Sequence, residues 1–494
     1  MVSGLLQRKT FKTPIGLRWA LTATCLLLLT LVVRGWWLHA FPAEATAPVD
    51  AEGYYLLARN LLEGHGFSIA WEAPFCPNTV RTLLYPLFVA LSFLFFGPMP
   101  QRIVLLHLLL EVITCAVVIR LGCDLGNLAP GKPHSSYMTG ALAGLLYAVN
   151  GTTQRYTGFL FSETLLLPLF ATAILLSCRF LRRPIKRTAV AAGAFWALAL
   201  LTKTNGQFLA LAIGAVLTGA VIHRGSKNRN RYHAVIWFWL TLTLVLFPWL
   251  TRNQRLTSRW ILSSAFEENL ARVAAVATQA EMMNVHAEPW TATWEYIYAT
   301  QKTQISLQNG WFFSSIPRFS CNWLAYQQSQ IAQAARRFVA TKPFFYGKAH
   351  IAGVVKSLLD PGHRLWYPIL TGKPWSSTGV VPDIGARVLW SLQRRAVGDA
   401  IQTFISQRIT QIPPSAGIIW WGLWVARLVG WFLVARGLWQ IRRHPWTLTI
   451  ILGSLVYILI LPGPIAHDRF YLPAVPIVTA VAAFGGYALI TRRE

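Results

Sequence analysis

The chain has 494 residues, 54% of them hydrophobic and only 13% charged, with a mean hydropathy of +0.44. A soluble domain carries about a quarter charged residues, so half that proportion excludes an ordinary soluble enzyme. The 45 Lys and Arg against 18 Asp and Glu give a net charge of +27. With no RNA- or DNA-binding motif in the chain, that excess reads as the basic bias of cytoplasmic loops and contacts with anionic lipid or phosphorylated substrate, and nucleic acid is excluded as a partner.

In chain order, a basic start (Arg8, Lys9, Lys12, Arg18) precedes an apolar run from about Leu21 to Trp37. No small-residue cleavage site follows, which predicts an uncleaved first span. Further apolar runs lie near 103–120, 137–150, 157–178, 188–202, 205–222, 233–250, 418–436, 446–462 and 471–490. The expectation is an all-α polytopic membrane protein with about ten transmembrane helices. Leu83 to Phe96 is apolar but only about 14 residues, or ~21 Å as a helix, short of the ~30 Å hydrocarbon core. Loop charge arbitrates. If this segment lies in the interface, basic residues collect in the cytoplasmic links and the short outer links keep only Arg155, Lys203 and Arg469. If it spans, every later loop flips and the bias fails. The non-crossing reading places both termini in the cytoplasm of a multi-pass inner-membrane protein, with most acids on the outer, periplasmic face.

Three parts follow: a transmembrane module over 1–251 with a first outer loop at 39–102, an outer segment at 252–417, and C-terminal spans at 418–494. The middle segment is too long for a plain connection. Helical spacing over Ser264–Met283 and Tyr326–Val339, punctuated by Pro343, Pro361, Pro374, Pro413 and Pro414, predicts a small helical outer subdomain. The six cysteines form no CxxC pair, so zinc and redox motifs have no support. Cys76 and Cys321 both fall outside in this reading, where they either pair or remain separate thiols.

The outer face carries the candidate chemistry. Amphipathic spacing from Tyr54 to Leu62 predicts a helix lying along the membrane, with Asp50 and Glu52 at its N-terminus. Acids there suit the helix dipole, which is the structural reading; the functional reading is a general base for an acceptor hydroxyl. Arg81 and Tyr85 lead into the interfacial helix. Glu163 lies about six residues into a span and calls for a partner, for which Lys203 at the next outer tip is suited. Arg252 ends one span on the outside, and His467 and Arg469 open the last. Arg81, Lys203, Arg252 and Arg469 are candidate phosphate ligands, with Tyr85 and His467 beside them. His467 and Asp468 are two metal-ligand types, too few to define a metal site.

The order of these features resembles the GT-C glycosyltransferases, in the branch of protein O-mannosyltransferases and lipid A aminoarabinose transferases. It runs from the acid-bearing first loop (Asp50, then Tyr54 to Asn60) through Arg81…Leu84-Tyr85-Pro86, Ser162-Glu163-Thr164-Leu165 and Pro248-Trp249…Arg252-Asn253 to Arg469-Phe470-Tyr471-Leu472-Pro473. The resemblance implies transfer of one sugar from a polyprenyl-phosphate donor to a glycan, lipid or protein acceptor on the outer face, with no cofactor and usually no essential metal, a divalent ion being left open. It also implies that Asp50 is the base or acceptor orienter. The chain departs from the family pattern in the alanine between Asp50 and Glu52, in Arg81-Thr82-Leu83 where relatives carry Arg-Pro-Pro, and in Lys203-Thr204 where relatives carry Arg-Pro. The competing readings are an oligosaccharide ligase or oligosaccharyltransferase, and a lipid-linked-sugar flippase, which calls for inverted repeats and mid-membrane polar groups.

Overall fold

The structure, a computed structural model, describes residues 14–40, 49–129, 133–224, 229–287, 291–308, 321–360, 384–405, 414–466 and 468–491. All regular structure among these residues is helical. The first ten helices are α1 (Pro14–Ala40), α2 (Val49–Leu62), α3 (Leu84–Phe96), α4 (Pro100–Gly126), α5 (Pro133–Ala148), α6 (Gly151–Tyr156), α7 (Glu163–Arg182), α8 (Lys186–Thr202), α9 (Gln207–His223) and α10 (Arg229–Thr257). The long segment contains α11 (Ala265–Asn269), a π turn (Leu270–Ala275), α12 (Val276–Met282), α13 (Ala292–Gln308), α14 (Cys321–Thr341), α15 (Pro343–Leu359), α16 (Ile384–Gln393) and α17 (Val397–Phe404). The chain closes with α18 (Pro414–Ile441), α19 (Pro445–Ile460), the short α20 (Asp468–Tyr471) and α21 (Val475–Ile490).

Each of the ten apolar runs becomes a helix. Seven helical segments among the described residues, α9 and α21 counted with the short turns that precede them, are long and apolar enough to cross a bilayer, and the protein is an integral membrane protein. The other three, α5, α8 and α19, have 16, 17 and 16 residues, about 24–26 Å of rise. Proline at the start of α5 and α19 marks where those helices begin. The ambiguous segment is the 13-residue α3, too short to cross without thinning the bilayer. One boundary differs from expectation. Thr157–Ser162 is not part of the span's helix, so Glu163 is its first residue and not one buried six positions within it.

The core lies between α4, α5, α7, α8 and α21. Membrane helices lack a hydrophobic drive to associate and rely on close contact through small residues. A Cβ at Gly485 of α21 would stand 2.0 Å from the Leu433 carbonyl of α18, so only glycine allows that approach. Arg34 of α1 is fully buried and acts as a polar peg. It donates to the Tyr147 and Ala148 carbonyls that end α5, to the Thr153 hydroxyl and, at 3.1 Å, to Glu111 of α4. Tyr147 completes the set by donating to Glu111.

In the long segment, Glu281 of α12 receives Lys348 of α15 at 3.0 Å and Arg394, just beyond α16, at 3.2 Å. The Cys76–Cys321 pair forms a disulfide, so the two are not separate thiols, and this bond ties the α2–α3 loop to α14. Helix α15 presses on the turn that precedes α20: a Cβ at Gly353 would fall 1.8 Å from the Gly463 carbonyl. The long segment therefore braces the stretch that carries Arg469.

Candidate active site

Five charged side chains from five separated stretches meet where α7 begins, α8 ends and α20 leads into α21. Asp50 lies in the first turn of α2 and Glu163 in the first turn of α7, where the positive end of each helix dipole favours a carboxylate. Lys203 follows the last residue of α8. Arg81 precedes α3, held by its backbone N–H donating to Asn78 Oδ1 at 2.8 Å. Arg469 lies in α20.

Arg469 joins the two acids. Its Nη1 donates to Asp50 Oδ2 at 2.6 Å, its Nε to Glu163 Oε1 at 2.5 Å and its Nη2 to Glu163 Oε2 at 3.2 Å. Lys203 Nζ reaches Glu163 Oε1 at 2.6 Å, and Arg81 Nη2 donates to Asp50 Oδ1. Three cations against two carboxylates leave the group with one net positive charge. Aromatic rings seat the cations: Arg81 over Tyr54 at 5.1 Å, Arg469 over Phe161 at 3.8 Å.

The two acids differ in access. The Glu163 side chain is 2% exposed and the Asp50 side chain 35%, so Asp50 is the one an incoming group meets. Burial would push the Asp50 carboxyl up, but the adjacent Arg469 and Arg81 charges overcome it and hold the group far below the usual carboxylate range. Arg81 is correspondingly pushed up against its burial by Tyr54 and Asp50.

Behind the acids runs a polar support. Tyr54 donates to Ser162 Oγ at 3.0 Å, and Ser162 donates to Glu163 Oε2 at 3.3 Å. The Tyr54 ring meets Tyr85 edge-on at 4.8 Å, and the Tyr85 hydroxyl bonds His107 Nε2 at 3.1 Å. His107 Nδ1 faces the Thr157 carbonyl at 3.0 Å. A carbonyl only accepts, so Nδ1 carries the proton and Nε2 accepts from Tyr85.

The remaining candidates lie elsewhere. Glu52 accepts from Trp71 Nε1 at 3.1 Å and does not contact the charged group. Tyr85 supports it from behind, through Tyr54. Arg252 stands apart, over the Trp249 ring at 4.5 Å and the Phe67 ring at 5.1 Å, and donates to Asn253. It lines a separate open groove of about 650 Å³ with Arg255, Phe67, Pro77, Phe247 and Pro248. His467 lies outside the described residues, as does the Asp468 side chain. Among the described residues no three His, Cys, Asp or Glu side chains converge as a metal site would require. Sequence reasoning missed Tyr54, Phe161 and Ser162 as supports; their adjacency to Asp50 and Glu163 was the available signal.

No protein-family profile and no curated protein sequence matches the chain. Solved structures do. The oligosaccharyltransferase of Archaeoglobus fulgidus, tethered with an acceptor peptide containing the NVT sequon, superposes with a TM-score of 0.50 at 9% identity, covering 95% of this chain and 50% of that one. The chain has a GT-C fold. The same archaeal enzyme, AglB, in complex with an inhibitory peptide and a dolichol-phosphate, aligns at 0.48 and 12% identity over 95% of this chain and 50% of that one. ArnT from Cupriavidus metallidurans aligns at 0.39 and 13% identity over 94% and 76%. The chain thus spans about half the length of the archaeal enzyme it matches.

Proposed function

We propose that the protein is an inverting glycosyltransferase that moves a single sugar from a polyprenyl-phosphate donor to an acceptor hydroxyl on the outer face of the membrane. The observation that carries this reading is the meeting of Asp50, Glu163, Arg81, Lys203 and Arg469 at one end of the spans. A prenyl phosphate linked to a sugar is a diester with one negative charge, which the net positive charge of the group balances. As the acceptor oxygen bonds the anomeric carbon, the bond from that carbon to the phosphate oxygen breaks and its electron pair stays on the phosphate, now doubly charged. The acceptor proton passes to Asp50. With Asp50 neutral, three cations and Glu163 leave two positive charges against two on the phosphate, so charge stays balanced through the transfer.

Orientation rests on two supports. Disulfides persist in oxidising compartments, and Cys76–Cys321 joins the loop beyond α2 to the long segment. The basic bias of the links assigns that side to the outside. The fold match to an oligosaccharyltransferase leaves transfer of a preassembled glycan as the nearest alternative reaction, distinguished by the donor used.

The test is transfer in membranes supplied with a polyprenyl-phosphate sugar. A general base contributes about 10²–10⁴-fold. Asp50→Asn is expected to lose at least about 100-fold with normal membrane levels, while Glu52→Gln stays near wild type. Full activity in Asp50→Asn would remove the proposed base.

A further inference from the structure

The transfer reading leaves a conflict in this site. A carboxylate held by two guanidinium groups is a weak base, yet Asp50 is the accessible acid. We infer that Arg469 is an exchanging cation: the donor phosphate takes Arg469 Nη1 from Asp50, so that Asp50 becomes a competent base only once the donor is bound. The inference rests on the proposed transferase reading and adds an order to it, donor before acceptor.

The geometry supports exchange over simple addition. Every cation in the group already has a carboxylate: Arg81 has Asp50, Lys203 has Glu163, and Arg469 has both. On the Lys203 side, a cavity lined by Lys203, Phe470, Leu166 and Phe170 among others holds about 30 Å³, room for a water and not for a phosphate. Arg469 is engaged by both carboxylates, so a phosphate that takes one of its N–H groups does so in exchange for a carboxylate oxygen. Of the two carboxylates, Glu163 is held at four points: twice by Arg469, once by Lys203 and once by Ser162. Asp50 receives one bond from Arg469 and one from Arg81, and is the more exposed. Of the two carboxylates on Arg469, Asp50 is the one held by fewer bonds and the more exposed, so the Arg469–Asp50 bond is the one to open. Arg469 keeps its Nε on Glu163, which serves as its pivot.

Among the described residues, the charged and titratable groups facing Asp50 are Arg81 before α3, Lys203 after α8, Arg469 in α20, Glu163 in α7 and Tyr54 on its own helix. Replacing the Arg469 contact with a nearby anion removes one lowering charge and adds a raising one, so Asp50 moves up toward the range in which a carboxylate accepts a proton. Arg81 remains to orient it.

Exchange makes a prediction of unusual sign. If Asp50 competes with the phosphate for Arg469, removing its charge tightens donor binding, whereas an Asp50 that held the donor would loosen binding when lost. The probe is a prenyl phosphate methyl diester, whose single charge does not titrate between pH 4 and 8, bound to the full chain in nanodiscs and followed by calorimetry. Asp50→Asn is expected to bind it about tenfold more tightly than wild type, the equivalent of ~1.4 kcal/mol. In wild type at pH 5, binding in two buffers of different ionisation heat should show proton uptake, and Asp50→Asn should show none. The uptake measurement in wild type stands even if the variant folds poorly. Equal or weaker binding by folded Asp50→Asn, or binding by wild type with no proton uptake, would overturn the exchange while leaving the donor reading intact. No binding by either protein would overturn both.

Discussion

Glu163 offers the most direct reading of how the charged group is held together. Its side chain is 2% exposed, and its partners Arg469 and Lys203 are 12% and 18% exposed, so little water is present to screen what is lost. Glu163→Gln keeps the shape and one acceptor oxygen but removes the charge, leaving Asp50 as the carboxylate that faces Arg469 among the described residues. Breaking a buried pair by removing one partner costs about 3–5 kcal/mol, because the orphaned charge stays buried. Lys203→Met in the same chain removes one of the orphans, so the double variant should lose about 1–3 kcal/mol less than the two single losses combined. Equilibrium unfolding in mixed micelles, with the four proteins of the cycle compared side by side, measures both numbers. A Glu163→Gln loss under about 1 kcal/mol, or strictly additive losses, would refute the view that these side chains form one coupled group.

Arg34→Met strips the buried Glu111 of its cation and leaves the last carbonyls of α5 unsatisfied, so a loss of about 3–5 kcal/mol is expected by the same measurement, with Glu111→Gln milder. The pH dependence follows from Asp50. Its folded value lies below the ordinary carboxylate value near 3.9, so its pairing stabilises the protein above that range and is lost only as pH falls through the lowered value. The profile of kcat/KM for donor, which reports the free enzyme, should therefore be flat down to about pH 4.5, while kcat, which reports the donor complex, should fall on the acid side; a flat kcat would contradict the release of Asp50. Reducing Cys76–Cys321 should cost about 2–5 kcal/mol, and a membrane-impermeant maleimide should label the freed thiols from outside intact cells. Labelling only after lysis would invert the proposed topology.

Much of the architecture was legible because apolar length is a strong signal. Bilayer-spanning runs and the short α3 follow from the order of apolar residues along the chain. Asp50, Arg81, Glu163, Lys203 and Arg469 stood out as candidates, since ionisable residues at span ends are few and each needs a partner. The Glu163–Lys203 pair was legible as well, but the other partners were not, because they depend on how each helix is rotated. Arg252 occupies the same kind of helix-end position as Arg469, yet the Trp249 and Phe67 rings hold it over a different groove. Glu52 lies two residues from Asp50 but points to Trp71, since neighbours on a helix diverge by about 200° over two positions. The burial of Arg34 was hidden for the same reason: near the end of a first span, an arginine reads as a snorkelling anchor, and only the packing of α1 on α4 and α5 turns it inward.

The central claim is that the phosphate of a lipid-linked sugar binds at Arg469, within the charged group that Lys203 and Arg81 complete. A cryo-electron microscopy map of the full chain in nanodiscs with a polyprenyl-phosphate sugar tests it. The account predicts phosphate density within hydrogen-bond distance of Arg469, with Asp50 turned toward the sugar and Glu163 still on Lys203. Phosphate density confined to the Arg252 groove, with the Asp50–Arg469 pair unbroken, would contradict it.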